Sequence, residues 1–195
     1  MSYGRPLSFN PDEAVHAAMQ LFWAKGYAGT SLQDLLQAMG LSKSSFYQAF
    51  DSKQALFARC FDCYCRWRSA RMRASLNQSS SAWEFIENVF WAVANGAESE
   101  LERRGCLLMN TASEFGQRDR VVVELVSSGM VCFEAVFIEA VQQAQTEGSI
   151  ACDRDPHAIA SFLVSSMSGL RTMVKAGMRH SQLSNIVKNI LYSLN

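Results

Sequence analysis

Proline and glycine are scarce, three and eleven in 195 residues, and charged side chains make up only 18% against 49% hydrophobic. A chain so apolar has enough to bury that it does not stay disordered, and it has no glycine or proline period for a fibre. Strands are missing too. The one β-branched run, Val121 to Val123, lies inside a pattern that continues at Leu125, Val126, Met130, Phe133 and Phe137, the step of a helix. No basic stretch followed by an apolar one opens the chain, and the longest charge-free stretch of its later part, Ala158 to Leu170, is too short to cross a bilayer. A cytoplasmic protein without a membrane partner is expected. There the six cysteines, at 60, 63, 65, 106, 132 and 152, stay reduced thiols with no disulfide framework.

Net charge is absent as well, yet its distribution is uneven. Residues 1 to 73 hold nine Lys and Arg against five Asp and Glu, a net of +4 that the remaining residues cancel. The excess comes from Arg59, Arg66, Arg68, Arg71 and Arg73, so the basic part is suited to a polyanion or carries a solvated basic face. The parts of an enzyme are not there: no Cys-x-x-Cys beside a βαβ unit, no glycine-rich cofactor loop, no histidine and carboxylate spaced to serve a cysteine. No cofactor is expected. Nor is a metal, because Cys60 and Cys63 share a helix face while Cys65 points elsewhere, and the three histidines lie far away.

What is there is helix. Pro11 suits a first turn, Gly26 a stop, and between them Ala14, Val15, Ala18, Met19, Leu21 and Phe22 form one stripe. Thr30 or Ser31 caps a second helix ending at Gly40, Ser42 a third to about Ala49, and Ser52 a fourth that opens at Lys53 and continues past Arg73. Residues 77 to 81, NQSSS, read as its terminating loop. Further helices are expected near 82–98, 105–115, 118–145, 155–176 and 181–194. The helix at 155–176 is apolar or small on nearly every face, with Arg171 and Lys175 its full charges, so a second subunit is expected to cover it.

Residues 26 to 56, GYAGTSLQDLLQAMGLSKSSFYQAFDSKQAL, have helix-turn-helix spacing: two helices of about eight residues joined through Met39-Gly40-Leu41. On the second, Ser42, Lys43, Ser44, Ser45, Tyr47 and Gln48 are expected outward and Phe46 and Phe50 inward, which suits a major groove. A plain surface helix in an α bundle is the competing reading. It leaves unexplained the small hydroxyl residues and isolated lysines at two successive helix starts.

On these residues the chain resembles the TetR family of bacterial regulators, through GYxGTS, the LSKSSFYxxF segment and the following DSKQALF, over roughly residues 10 to 57. The resemblance implies an all-α protein. Residues 1–53 would be the helix-turn-helix DNA-binding domain, and a long helix would join it to a regulatory and dimerisation domain over 54–195. It implies a double-stranded DNA operator as partner, a homodimer through the last two helices, and a small-molecule effector or a reactive electrophile or oxidant as signal. Thr30, Tyr47 and Lys53 would bind phosphates, Lys53 also through its helix N-terminus, while Ser42, Lys43, Ser44 and Gln48 probe the groove. Arg5, in the arm before the first helix, resembles arms that reach a minor groove. It is the arm's single arginine.

Within that family, RGCLLMNTASE and the later Lys175 look similar to the electrophile- and hypochlorite-sensing repressors of N-ethylmaleimide reductase genes. By that likeness Cys106 would be the sensor and Lys175 the amine that traps its oxidised sulfur. Its neighbours add to this, since a helix N-terminus and Arg103 and Arg104 favour a thiolate. A small buried hydrophobe at a Gly-Cys turn is the alternative for Cys106, and a solvated helix end for Lys175. A Met- and aromatic-rich interior, with Trp91, Met109, Phe133 and Met167, is core by default and can also hold an apolar ligand, the other form the signal can take. A cysteine-dependent redox enzyme and a helical adaptor are the remaining functional classes.

Overall fold

The computed structural model describes residues 9–194, the side chain of Leu101 excepted, and among them every regular element is a helix. The chain divides into two compact units after Tyr64. The first holds α1 (Pro11–Lys25), α2 (Leu32–Met39), α3 (Lys43–Phe50) and the opening turns of α4 (Lys53–Gln78). Each start has its own device. Asn10 caps α1 by accepting from the Asp12 N–H with Pro11 next in line, and Ser31 and Asp34 close a reciprocal capping box on α2. Gly40 ends α2 at φ 65°, where the Leu41 N–H returns to the Leu36 carbonyl at 3.0 Å. A residue with a Cβ would be strained at that angle.

The core of this unit is aromatic. Phe22 meets Phe57 edge-on at 5.0 Å, Tyr27 meets Phe57 at 5.1 Å and Trp23 meets Tyr64 at 5.1 Å. Leu56, Phe57, Cys60, Phe61 and Tyr64 are all buried. Those residues are why the division falls after Tyr64 and not at the expected 53/54: the start of α4 completes the core that α1 began.

The second unit takes up the rest of α4 with α5 (Ala82–Asn95), the single-turn α6 (Glu100–Arg103), α7 (Leu107–Phe115), α8 (Arg120–Thr146), α9 (Pro156–Lys175) and α10 (His180–Tyr192). Helices α5, α8, α9 and α10 pack together over Phe85, Phe90, Val136, Phe137, Leu163 and Val187. Arg73 of α4 grips Glu139 of α8 with two hydrogen bonds of 2.8 and 2.7 Å. Helix α8 is long and apolar enough to cross a membrane by length and composition alone. Here Val122, Phe133, Val136, Phe137, Ala140 and Val141 face the interior of the bundle. Helix α4 runs through Asn77 and Gln78, two residues into the expected loop, and α6 was not anticipated.

Candidate nucleic-acid interface and ligand cavity

Helix α3 is fixed from beneath. Phe46 and Phe50, four apart, are buried, which leaves Lys43, Ser44, Tyr47 and Gln48 on the opposite face, all exposed. Ser42 caps the helix by accepting from the Ser45 N–H at 3.1 Å, and its Oγ lies 3.0 Å from Ser44 Oγ and 2.9 Å from Ser45 Oγ. Ser45 is half-buried, so it serves the cap more than the surface. Lys53 opens α4 behind the Ser52 cap, with its Nζ 4.2 Å from the centre of the Tyr27 ring. That contact steadies the ammonium at the helix start.

Thr30 corrects an expectation. Its side chain is fully buried, and its hydroxyl donates to the Gly26 carbonyl at 2.6 Å, so it ties the end of α1 to the turn and cannot reach a phosphate. The cap of α2 is Ser31. Nearby, Asp34 accepts from the Ser31 hydroxyl and N–H and from Lys25, which together hold its carboxyl at about 2 against an ordinary 3.8. Arg5 lies outside the described residues.

In the second unit a cavity of about 350 Å³ opens between α4, α5, α6, α8 and α9. Of the four residues named for an apolar pocket, Phe133 and Met167 border this cavity, and so does Cys106. Trp91 and Met109 do not. Met109 lies in a shallower groove with Met130 and Met173, while Trp91 is half-buried on α5. Helical spacing fixes which residues share a stripe, not which stripe borders a void.

Cys106 is the N-cap of α7, 8% exposed, and makes no capping hydrogen bond through its side chain. The two guanidinium groups upstream have partners of their own: Arg103 Nε donates to the Ala97 carbonyl at 3.0 Å, and Arg104 pairs with Glu100 at 3.5 Å. Lys175 comes alongside. Its Nζ donates to Asn110 Oδ1 at 2.8 Å, and a Cβ on Gly105, whose φ is 73°, would sit 3.3 Å from its Cδ. The fold thus brings Lys175 against the residue preceding Cys106, with the ammonium engaged by Asn110.

Sequence reasoning missed the cavity's charges. Arg171 of α9, 7% exposed, donates to Glu102 of α6 at 2.7 Å, and Arg68 and Arg71 of α4 line the same space. Burial pushes the Glu102 carboxyl above its usual range, against the pull of the Arg68 and Arg71 guanidinium groups. The available signal was Arg171 itself, a full charge in the middle of an apolar helix, which demands a partner.

Comparison with known proteins identifies this arrangement. Residues 14–60 match the family model described as bacterial regulatory proteins, tetR family, and residues 82–188 match the tetracyclin repressor-like C-terminal domain. The chain belongs to the TetR family. This TetR family protein is a DNA-binding transcriptional regulator, and its first unit is the family's helix-turn-helix. It is 29% identical over 191 residues to the HTH-type transcriptional repressor ComR of Escherichia coli, covering 97% of this chain and 91% of ComR. A cysteine-substituted form of the TetR family regulator CifR, solved with 26-base-pair operator DNA, superposes with a TM-score of 0.84. The two share 28% identity over 98% of this chain and 100% of CifR. Reduced NemR of Escherichia coli gives a TM-score of 0.82 at 19% identity, over 92% of this TetR family chain and 93% of NemR, a likeness of fold.

Proposed function

We propose that the protein is a homodimeric repressor that grips a palindromic operator with α3 of each copy and lets go when its C-terminal unit receives a chemical signal. The observation that carries this reading is the exposed face of α3, with Ser42, Lys43, Ser44, Tyr47 and Gln48 standing above buried Phe46 and Phe50. Hydroxyls, an amide and a cation are the groups that read base edges and phosphates, and two aromatic anchors hold them steady. Lys53 adds a phosphate contact at the start of α4. Support comes from ComR, a repressor, and from CifR, solved on operator DNA. Such a protein works where the DNA is, in the cytoplasm.

The dimer contact is assigned to α9 and α10. Ala158, Ser161, Phe162, Ser165, Gly169, Thr172 and Met173 form an exposed stripe at helical spacing along α9, and Tyr192 of α10 is 79% exposed. Small residues edged by two large apolar ones let a second copy approach closely, and the two-fold axis then matches the symmetry of the operator. The signal acts through α4, which carries Arg68, Arg71, Met72 and Ser75 into the cavity and Leu56 to Tyr64 into the core under α3.

Cys106, at the cavity wall, is the proposed trigger residue, alkylated or oxidised by a reagent that enters, and Lys175, once released from Asn110, is the proposed amine to trap the oxidised sulfur. A non-covalent occupant of the same cavity is the second reading, favoured by the partners that Arg103 and Arg104 already have. Mobility shift on the DNA upstream of the coding sequence, with and without hypochlorite or N-ethylmaleimide, tests both levels. Retardation is expected from the untreated protein, and release on treatment. Failure to retard that DNA ends the repressor reading. A Cys106→Ser protein that still lets go under oxidant ends the thiol trigger alone.

A further inference from the structure

The cavity in the second unit is not the neutral apolar chamber that a Met- and aromatic-rich interior suggests. Its floor is Phe133, Phe137, Val164 and Met167, but Arg68, Arg71 and Arg171 line it against one carboxylate, Glu102. The Arg171 side chain is 9% exposed and Glu102 is its ion-pair partner at 2.7 Å. One anion therefore stands among three cations; Arg71 is exposed with its guanidinium 5.3 Å from the centre of the Trp67 ring, but a neutral occupant would strip water from half-buried Arg68 and return nothing. An ammonium would add repulsion. An anion offsets part of that surplus and offers the paired acceptors that a guanidinium fork is shaped to meet.

We propose that this cavity takes an amphipathic anion, an apolar molecule bearing one carboxylate or phosphate, with its charged end among Arg68, Arg71 and Arg171 and its apolar body on Phe133, Phe137 and Met167. This rests on the reading that the second unit receives the signal, and it gives that signal a chemistry. Glu102 is the internal competitor: it holds Arg171 while the cavity is empty and yields it to the incoming group. The exchange moves the Arg171 guanidinium from Glu102 on α6 to the ligand, and it changes what α4 faces through Arg68 and Arg71. The cavity lies at the small end of the roughly 300–1,000 Å³ typical of ligand sites, so a short alkyl or single-ring body fits and a long lipid does not.

Titration calorimetry on the full-length protein with a matched set, octanoate, octyl phosphate, octanol and octylamine, decides the matter. The anions are expected to bind and the alcohol and amine not to, and whichever anion binds tighter names the headgroup. Arg68→Gln is expected to weaken octanoate about tenfold, which is 1.4 kcal/mol. Glu102→Gln removes the competitor and is expected to tighten octanoate by a similar factor. Replacing Arg171 alone would leave Glu102 buried without its partner, so the paired change Glu102→Gln with Arg171→Met is used, and it is expected to bind both anions more weakly than Glu102→Gln alone. Octanol or octylamine binding as tightly as the anions overturns the proposal, as does no anion binding or an Glu102→Gln protein no tighter than the parent. Mobility shift on the same preparation separates the two levels. DNA retardation without anion binding removes the anion and leaves the repressor, whereas a protein that retards no DNA removes the reading beneath.

Discussion

Lys43→Ala tests the placement of α3 with a number. Lys43 is the first residue of that helix and is exposed, on the side away from buried Phe46 and Phe50. Each phosphate that a protein neutralises adds about 0.9 to the slope of log affinity against log salt, so removing one lysine from each of two copies makes the slope shallower by about 1.8. Between 50 and 200 mM salt that changes the loss of affinity by roughly twelvefold. Fluorescence anisotropy on a labelled upstream fragment at four or five salt concentrations reads the slope directly. Ser42→Ala is the contrast: it removes a cap worth about 1 kcal/mol of helix stability and should lower the unfolding midpoint while leaving the slope where it was. A Lys43→Ala protein with both the parent's slope and the parent's affinity would mean that this lysine meets neither phosphate nor groove, and the outward face of α3 would not be the DNA face.

Other outcomes follow from single contacts. Thr30→Val keeps the shape of a buried side chain but removes its hydrogen bond to the Gly26 carbonyl, so stability should fall by about 1 kcal/mol with the affinity for DNA unchanged. A folded Thr30→Val protein with weaker DNA binding at every salt concentration would return Thr30 to the phosphate contacts. Asp34, held at about 2, adds stability that is complete above its ordinary 3.8 and is lost as pH falls through about 2. Urea midpoints should therefore drop between about pH 4 and pH 2 in the parent and stay flatter in Asp34→Asn, and equal losses in the two would refute the contact. Among the thiols, exposed Cys152 should be alkylated first in the native protein. Cys60, bonded to the Val15 carbonyl at 3.4 Å and pushed up by burial, should react only after unfolding, as peptide mass mapping would show.

The helices were legible because their ends carry chemistry of their own. Pro11, Ser42 and Pro156 start helices and Gly26 and Gly40 stop them, each for a reason contained within a few residues. The outward face of α3 was legible for the same cause, since Phe46 and Phe50 fix which side is in. Thr30 was not: a hydroxyl beside a cap reads alike whether it faces solvent or a carbonyl four residues back. Helix α6 has a single turn and therefore no period to detect. The cavity was least legible of all, because Arg171 and Glu102 lie 69 residues apart and Arg68 and Arg71 look, in one dimension, like a solvated basic face.

One turn of helix does not hold itself together in water, because the first hydrogen bond returns less than the order it demands. Helix α6 has only four residues, and one of them is Glu102, clasped by Arg171. The clasp is the contact that ties this turn to α9, so hydrogen exchange at the Arg103 amide, which bonds to the Ser99 carbonyl at 3.0 Å, should quicken when it opens. A signal that opens the clasp would be visible as a local melting even where no helix elsewhere has shifted.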